Sequence, residues 1–164
     1  MAISNLVDVL HHSMKDLLSA EKQFRDALPK LAEAAESEEL AAAFREHREQ
    51  TVEHIERLER GFKLLGRAAR SETCEAAKGL VAEGRSAIEE EGEGDAKDLL
   101  LTGAGRKVEH YEIVSYADAV AFAEACGLDD LAALLGESLD EERQADEKLH
   151  ALGQRLVERA PMPA

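Results

Sequence analysis

Two glutamates one helical turn apart, Glu109 and Glu112 in the run KVEHYEIVSY, stand in a segment whose other residues read as an amphipathic helix. At about 100° per residue, Leu101, Gly105, Val108, Ala119 and Ala123 define an inward face centred close to Glu112, with Glu109 on its flank and Tyr116 a turn further on. The pattern recurs. The stripe Leu10, Met14, Leu17 and Leu28 is centred on Glu21, and Arg25, about 40° away, is the nearby inward cation. Leu131, Leu135, Leu149 and Gly153 surround Glu142 and Asp146, and the segment between them offers His47, Thr51 and His54 on its apolar face while Glu49 and Glu53 point outward.

Reflecting each helical segment about its connecting turn sets Glu21 level with residues 51 to 54 and Glu112 level with Glu142, so the inward polar groups fall in one layer. A buried carboxylate costs several kcal/mol unless a proton, a cationic side chain or a metal neutralises it. Glu21, Glu109, Glu112, Glu142 and Asp146 would share that layer with essentially one arginine. Two divalent cations supply the missing charge, and oxygen donors with one or two imidazoles suit iron or manganese better than zinc or copper. The metal-free alternative pairs Glu21 with Arg25 and Glu142 with a protonated His54, making the carboxylates a register device in a structural or interaction protein. Thr51 reads as a supporting or helix-packing hydroxyl, and Tyr116 as a core tyrosine with one hydrogen bond or a redox neighbour of the layer. Glu147 and His150 spell Glu-x-x-His, but Glu147 points away from the apolar stripe.

The elements that must position these groups are helices. Ala, Leu, Glu, Lys and Arg dominate, aromatic residues make up 4%, and there are three prolines and no tryptophan, a composition that favours helix over sheet. Helical spacing predicts four long helices, over residues 3 to 34, 37 to 66, 95 to 126 and 128 to 158. Pro29 predicts a kink in the first. Residues 67 to 94 predict a polar turn, a helix of about four turns and a flexible acidic loop. The expected fold is all-α: a four-helix bundle of two antiparallel hairpins, joined by a crossover that carries the short extra helix and sets the third long helix parallel to the second. Residues 1 to 160 form one domain, and 161 to 164 a short tail.

A net charge of −15 repels phosphate backbones and anionic membrane surfaces, which argues against nucleic-acid or membrane partners. Cys74 and Cys126 form no CxxC motif or disulfide framework, and MAISNLVDVLHH lacks the basic start and cleavage site of a secretory leader. A cytoplasmic location is expected. Cys74 reads as buried rather than reactive, and His11, His12 and His110 as surface or interface residues.

The runs SAEKQ (19–23), AFREH (43–47) with Thr51 and IER (55–57), CEAAKGL (74–80), KVEHYEIVSY (107–116) and LDEERQADEKL (139–149) resemble the YciF-type stress proteins, a ferritin-like family, over nearly the whole chain. The resemblance implies a ferritin-like bundle, homodimers and a di-metal centre of iron or manganese, with one or two ions and oxygen or peroxide as reactant. It makes Glu21 the ligand of the first helix, Glu109 and Glu112 those of the third, and Glu142 with Asp146 those of the fourth. The general di-iron pattern places Glu-x-x-His on two helices. This sequence departs from it on the second helix, where His47 or His54 must coordinate instead. Glu112 and Glu142 are the bridging candidates by depth.

Overall fold

The computed structural model describes residues 3–162; the first two residues of the expected domain and the last two of the expected tail lie outside them. Asn5 starts α1 (Leu6–Ala34), its side-chain oxygen accepting the Asp8 N–H at 3.0 Å. Ser37 starts α2 (Glu38–Leu64). Helix α3 (Glu75–Glu89) begins at Cys74, whose Sγ accepts the Ala77 N–H at 3.3 Å. Helices α4 (Gly94–Ala125) and α5 (Asp129–Arg159) complete the chain. Gly66 and Gly127 take left-handed φ values of 67° and 68°, the conformation that stops a helix at low cost for glycine. After α4, the Gly127 and Leu128 N–H groups bond back to the Glu124 and Ala123 carbonyls.

Side-chain ties reveal the topology. Asp98, on the first turns of α4, accepts the N–H groups of Glu36 and Ser37 at 2.9 and 2.7 Å. The N-termini of α2 and α4 therefore share one end of the molecule, and the two helices run parallel. At that same end Arg159, the last residue of α5, pairs with Asp95. Helix α1 packs on α2 and α4, α5 packs on the same two, and α3 lies outside against α1 and α4. This is the expected bundle with its crossover helix.

Its interior is stratified. One apolar cluster holds Leu10, Met14, Leu58, Phe62, Ala123 and Leu131, and another holds Leu28, Leu31, Phe44, Leu101 and Leu149 at the opposite end. Gly105 brings the helices together: a Cβ there would lie 2.9 Å from Phe44 Cε1. Between the two clusters sits the carboxylate layer.

Helix α1 continues through Pro29 without a break, packed on three neighbours although the Arg25 carbonyl loses its helical donor. One expectation needs correction. The acidic connection after α3 is tied down: buried Lys97 donates to the carbonyls of Ala87 and Ile88 at 2.8 Å each and to that of Glu90, and the Gly94 N–H donates to Glu36. A cation at these unpaired carbonyls complements the helix C-terminus. No helix among the described residues is long and apolar enough to cross a membrane.

Candidate metal centre

Each long helix contributes to the layer. Helix α1 brings Glu21, α2 brings His47 and His54 from the same face two turns apart, α4 brings Glu109 and Glu112, and α5 brings Glu142. All six are essentially buried. Their donor atoms fall into two groups, His47 with Glu109, Glu112 and Glu142, and Glu21 with His54 and Glu142; in each, one atom per residue lies within 4.8 Å of all the others. His47 Nε2 is 3.3 Å from Glu109, 3.6 Å from Glu142 and 3.8 Å from Glu112. His54 Nδ1 is 2.8 Å from Glu142 and 3.2 Å from Glu21. Glu142 belongs to both groups.

Among the described residues, every buried side-chain nitrogen or oxygen without a well-directed hydrogen bond lies on these six side chains, apart from His11 Nε2. Both oxygens of Glu112 and of Glu142 are in that state, as are His47 Nε2 and His54 Nδ1. Native interiors rarely leave such groups unpaired, so their concentration in one layer marks a place that could hold a metal ion. Carboxylates with two imidazoles form a donor set that fits iron or manganese.

The electrostatics of the metal-free protein agree. Burial pushes Glu109 and Glu112 well above the usual carboxylate range, and Glu142 beside them adds to the rise. Burial also disfavours ionised Glu142, but His47 and His54 outweigh it and hold that carboxyl below its ordinary value. For His54, burial alone would favour the neutral ring; Glu21 and Glu142 overcome it and raise the group from 6.5 to about 11. Protons then neutralise part of the layer, and a metal must displace them.

Outside this set lie groups that orient it. His54 Nε2 faces Glu141 Oε2 at 2.8 Å, and Arg57 grips both oxygens of Glu141 at 2.6 and 2.8 Å. With its outer nitrogen engaged, the ring presents Nδ1 to Glu21 and Glu142. His47 Nδ1 faces Gln50 Oε1 at 3.4 Å, leaving Nε2 for the carboxylates. Outer-nitrogen partners of this kind fix the tautomer and orientation of a ligating histidine. Sequence reasoning missed Glu141 and Arg57. Their signal was the acidic pair at 141–142, only one member of which can face inward, and the arginine one turn after His54.

Tyr116 donates to Glu21 Oε1 at 2.5 Å, and Thr51 donates to the His47 carbonyl at 3.0 Å within its own helix. Two expected members are elsewhere. Asp146 pairs with Arg106 at 2.7 Å and with exposed His110 at 3.2 Å at the edge of the bundle; one turn beyond Glu142, its shorter side chain meets those cations before the centre. Arg25 extends outward to Asp26 at 2.8 Å rather than to Glu21, since its long side chain keeps the charged head in water. Glu147 is exposed, as the wheel predicts, and so is His150. Cys74 is buried, its Sγ 3.1 Å from Tyr111 Oη and 3.4 Å from Asp16.

Comparison with known proteins agrees with this architecture. The family model described as Domain of unknown function (DUF892) matches residues 5–161. Protein YciF of Escherichia coli (strain K12) is 39% identical over 150 residues, spanning 91% of this chain and 90% of the relative. The crystal structure of the E. coli stress protein YciF superposes with a TM-score of 0.93 at 37% identity, covering 96% of this chain and 100% of that one. YcfI from Rhodopseudomonas palustris gives 0.87 at 36% identity, covering 90% and 94%. A Xanthomonas campestris protein shares the fold at 20% identity, with a TM-score of 0.74 over 94% and 98% of the two chains. With one family model spanning nearly the whole chain and a relative this similar over nine-tenths of it, the protein belongs to the DUF892 family of YciF-like helical proteins.

Proposed function

We propose that the protein binds one or two iron or manganese ions in the mid-bundle layer and reacts, through them, with oxygen or peroxide in a stress response. The observation that carries this reading is the set of unpaired buried donor atoms converging from all four long helices, with Glu142 common to both groups. His47 and Glu109 would hold one ion, Glu21 and His54 the other, with Glu142 and Glu112 between them. When bound, such ions supply electrons to an oxidant, the chemistry known for carboxylate-bridged pairs.

The chain's own residues do the rest. The Arg57–Glu141 pair orients His54, Tyr116 steadies Glu21, and the two apolar clusters exclude water from above and below. A cavity of about 220 Å³ and mixed polarity, lined by His47, Gln50, Glu109 and Gln144 among others, leads to the layer from the side of α2 and α5. It suits a small hydrated ion or peroxide. The stress role rests on the likeness to YciF of E. coli, itself described as a stress protein. The cytoplasmic location rests on two cysteines that form no disulfide, and the homodimer on the family resemblance.

Anaerobic titration with ferrous iron tests the centre: wild type takes up at least one equivalent and Glu142→Ala takes up none. Equal uptake by the two would refute it. Oxygen consumption on adding ferrous iron then reads turnover. A metal-free structural protein is the second reading, favoured by the 2.8 Å contact of His54 with Glu142. The melting temperature separates them, because an ion that binds only the folded state must raise it.

A further inference from the structure

Four long helices suffice to build the carboxylate layer, yet the chain carries a fifth, α3, that is poorly buried: only Ala77 and Gly84 of its 15 residues are fully covered. Leu80, Val81 and Ile88 point toward the bundle but remain half-buried. Beneath them α1, α3 and α4 flank a half-open cavity of about 690 Å³, within the range of roughly 300–1,000 Å³ that holds small organic ligands.

The cavity is long. It follows α1 from Gln23 to Ala34, about 16 Å at the helical rise. Leu31 and Ile88 line one end, and Phe24 packs with Val108 near the other. Glu109, which follows Val108, is 1% exposed, has an Oε2 with no hydrogen-bond partner, and is part of the lining. The mouth carries both signs, Lys30 and Arg85 against Asp26, Glu33 and Glu89. The walls are mainly apolar, the charges at the mouth are mixed, and no buried cation is there to pair an anion, so a neutral ligand suits the space.

We propose that this cavity binds an elongated, neutral, largely apolar organic molecule whose polar end lies at Glu109, beside the carboxylate layer. Its binding stands on the cavity alone; its role as a substrate of the centre rests on the function proposed above. Helix α3 is then a wall for that molecule, which explains why its apolar face is left half-covered.

Gly84 gives the test. A Cβ there lies 3.9 Å from Leu31 Cδ2, an ordinary contact, so a leucine fits the backbone, fills the cavity and raises helix propensity. The probe is 1-aminoanthracene, a neutral fluorophore, titrated into metal-free and cobalt(II)-loaded protein. Wild type is expected to show one saturable site, and Gly84→Leu and Val81→Phe to weaken it about tenfold or more without changing the cobalt stoichiometry. Medium-chain alcohols are expected to displace the probe and to shift the visible bands of bound cobalt in wild type but not in Gly84→Leu.

Non-saturable binding, or binding unchanged in both variants, overturns the proposal. So does a wild-type dimer that excludes the probe and dissociates in Gly84→Leu, since a second copy then covers the cavity. Saturable probe binding with no cobalt uptake would uphold the pocket and sink the metal centre. Cobalt uptake with no probe binding would do the reverse.

Discussion

His54 and Glu141 face each other at 2.8 Å through the outer ring nitrogen, while the inner nitrogen looks into the carboxylate layer. Glu141 is itself held by Arg57. The pair turns a histidine that could rotate into one with a set direction. Glu141→Gln weakens the acceptor and is expected to lower metal affinity about 10- to 100-fold while leaving stoichiometry intact. Competition titration against a chelator measures this. An unchanged affinity would mean that His54 needs no orienting partner.

Among the described residues, Glu142 alone belongs to both candidate ligand groups. Glu142→Ala should therefore abolish uptake of both ions, whereas Glu21→Ala should remove one equivalent and spare the other. Equilibrium dialysis with ferrous iron under argon gives the two stoichiometries. Matching losses in both variants would show that the groups form a single site.

The metal-free layer stores protons. Glu109 and Glu112 have carboxyl groups raised well above the ordinary value of 4.5, and His54 is raised from 6.5 to about 11. In each case the folded state keeps a proton that the unfolded chain releases above the ordinary value, so the folded state binds more protons and stability falls as pH rises. The His54 contribution is complete below 6.5 and disappears as pH climbs toward about 11. The melting temperature of metal-free protein should thus decline between about pH 5 and pH 8, and Glu112→Gln should flatten the decline. Added manganese should reverse the slope, because deprotonated ligands bind it more tightly. A rising melt curve for the metal-free wild type would contradict the proton assignment.

At the far end of the bundle, Asp98 accepts two backbone N–H groups ahead of α2. Asp98→Ala leaves both without their acceptor and should cost about 2 kcal/mol. Denaturant unfolding reads the loss, and metal stoichiometry should be unaffected, since the cap lies several turns from the layer. A loss below about 0.5 kcal/mol would mean that water replaces the carboxylate.

Much of this molecule was legible from residue order alone. Helical periodicity and end signals such as Asn5, Ser37, Gly66 and Gly127 act locally, so they marked the long helices to within a few residues. A charge on an apolar stripe is also a local anomaly, which is why Glu21, His47, His54, Glu109, Glu112 and Glu142 could be named from a wheel. Distances between helices were not available, nor was the reach of a long side chain. Arg25 and Asp146 each sat one turn from a true member of the layer: Arg25 turned to its chain neighbour Asp26, and only the packed bundle showed Arg106 and His110 taking Asp146 away. The same holds for Glu141, Arg57 and the cavity under α3. They depend on how helices far apart in the chain meet, and tertiary packing alone decides that.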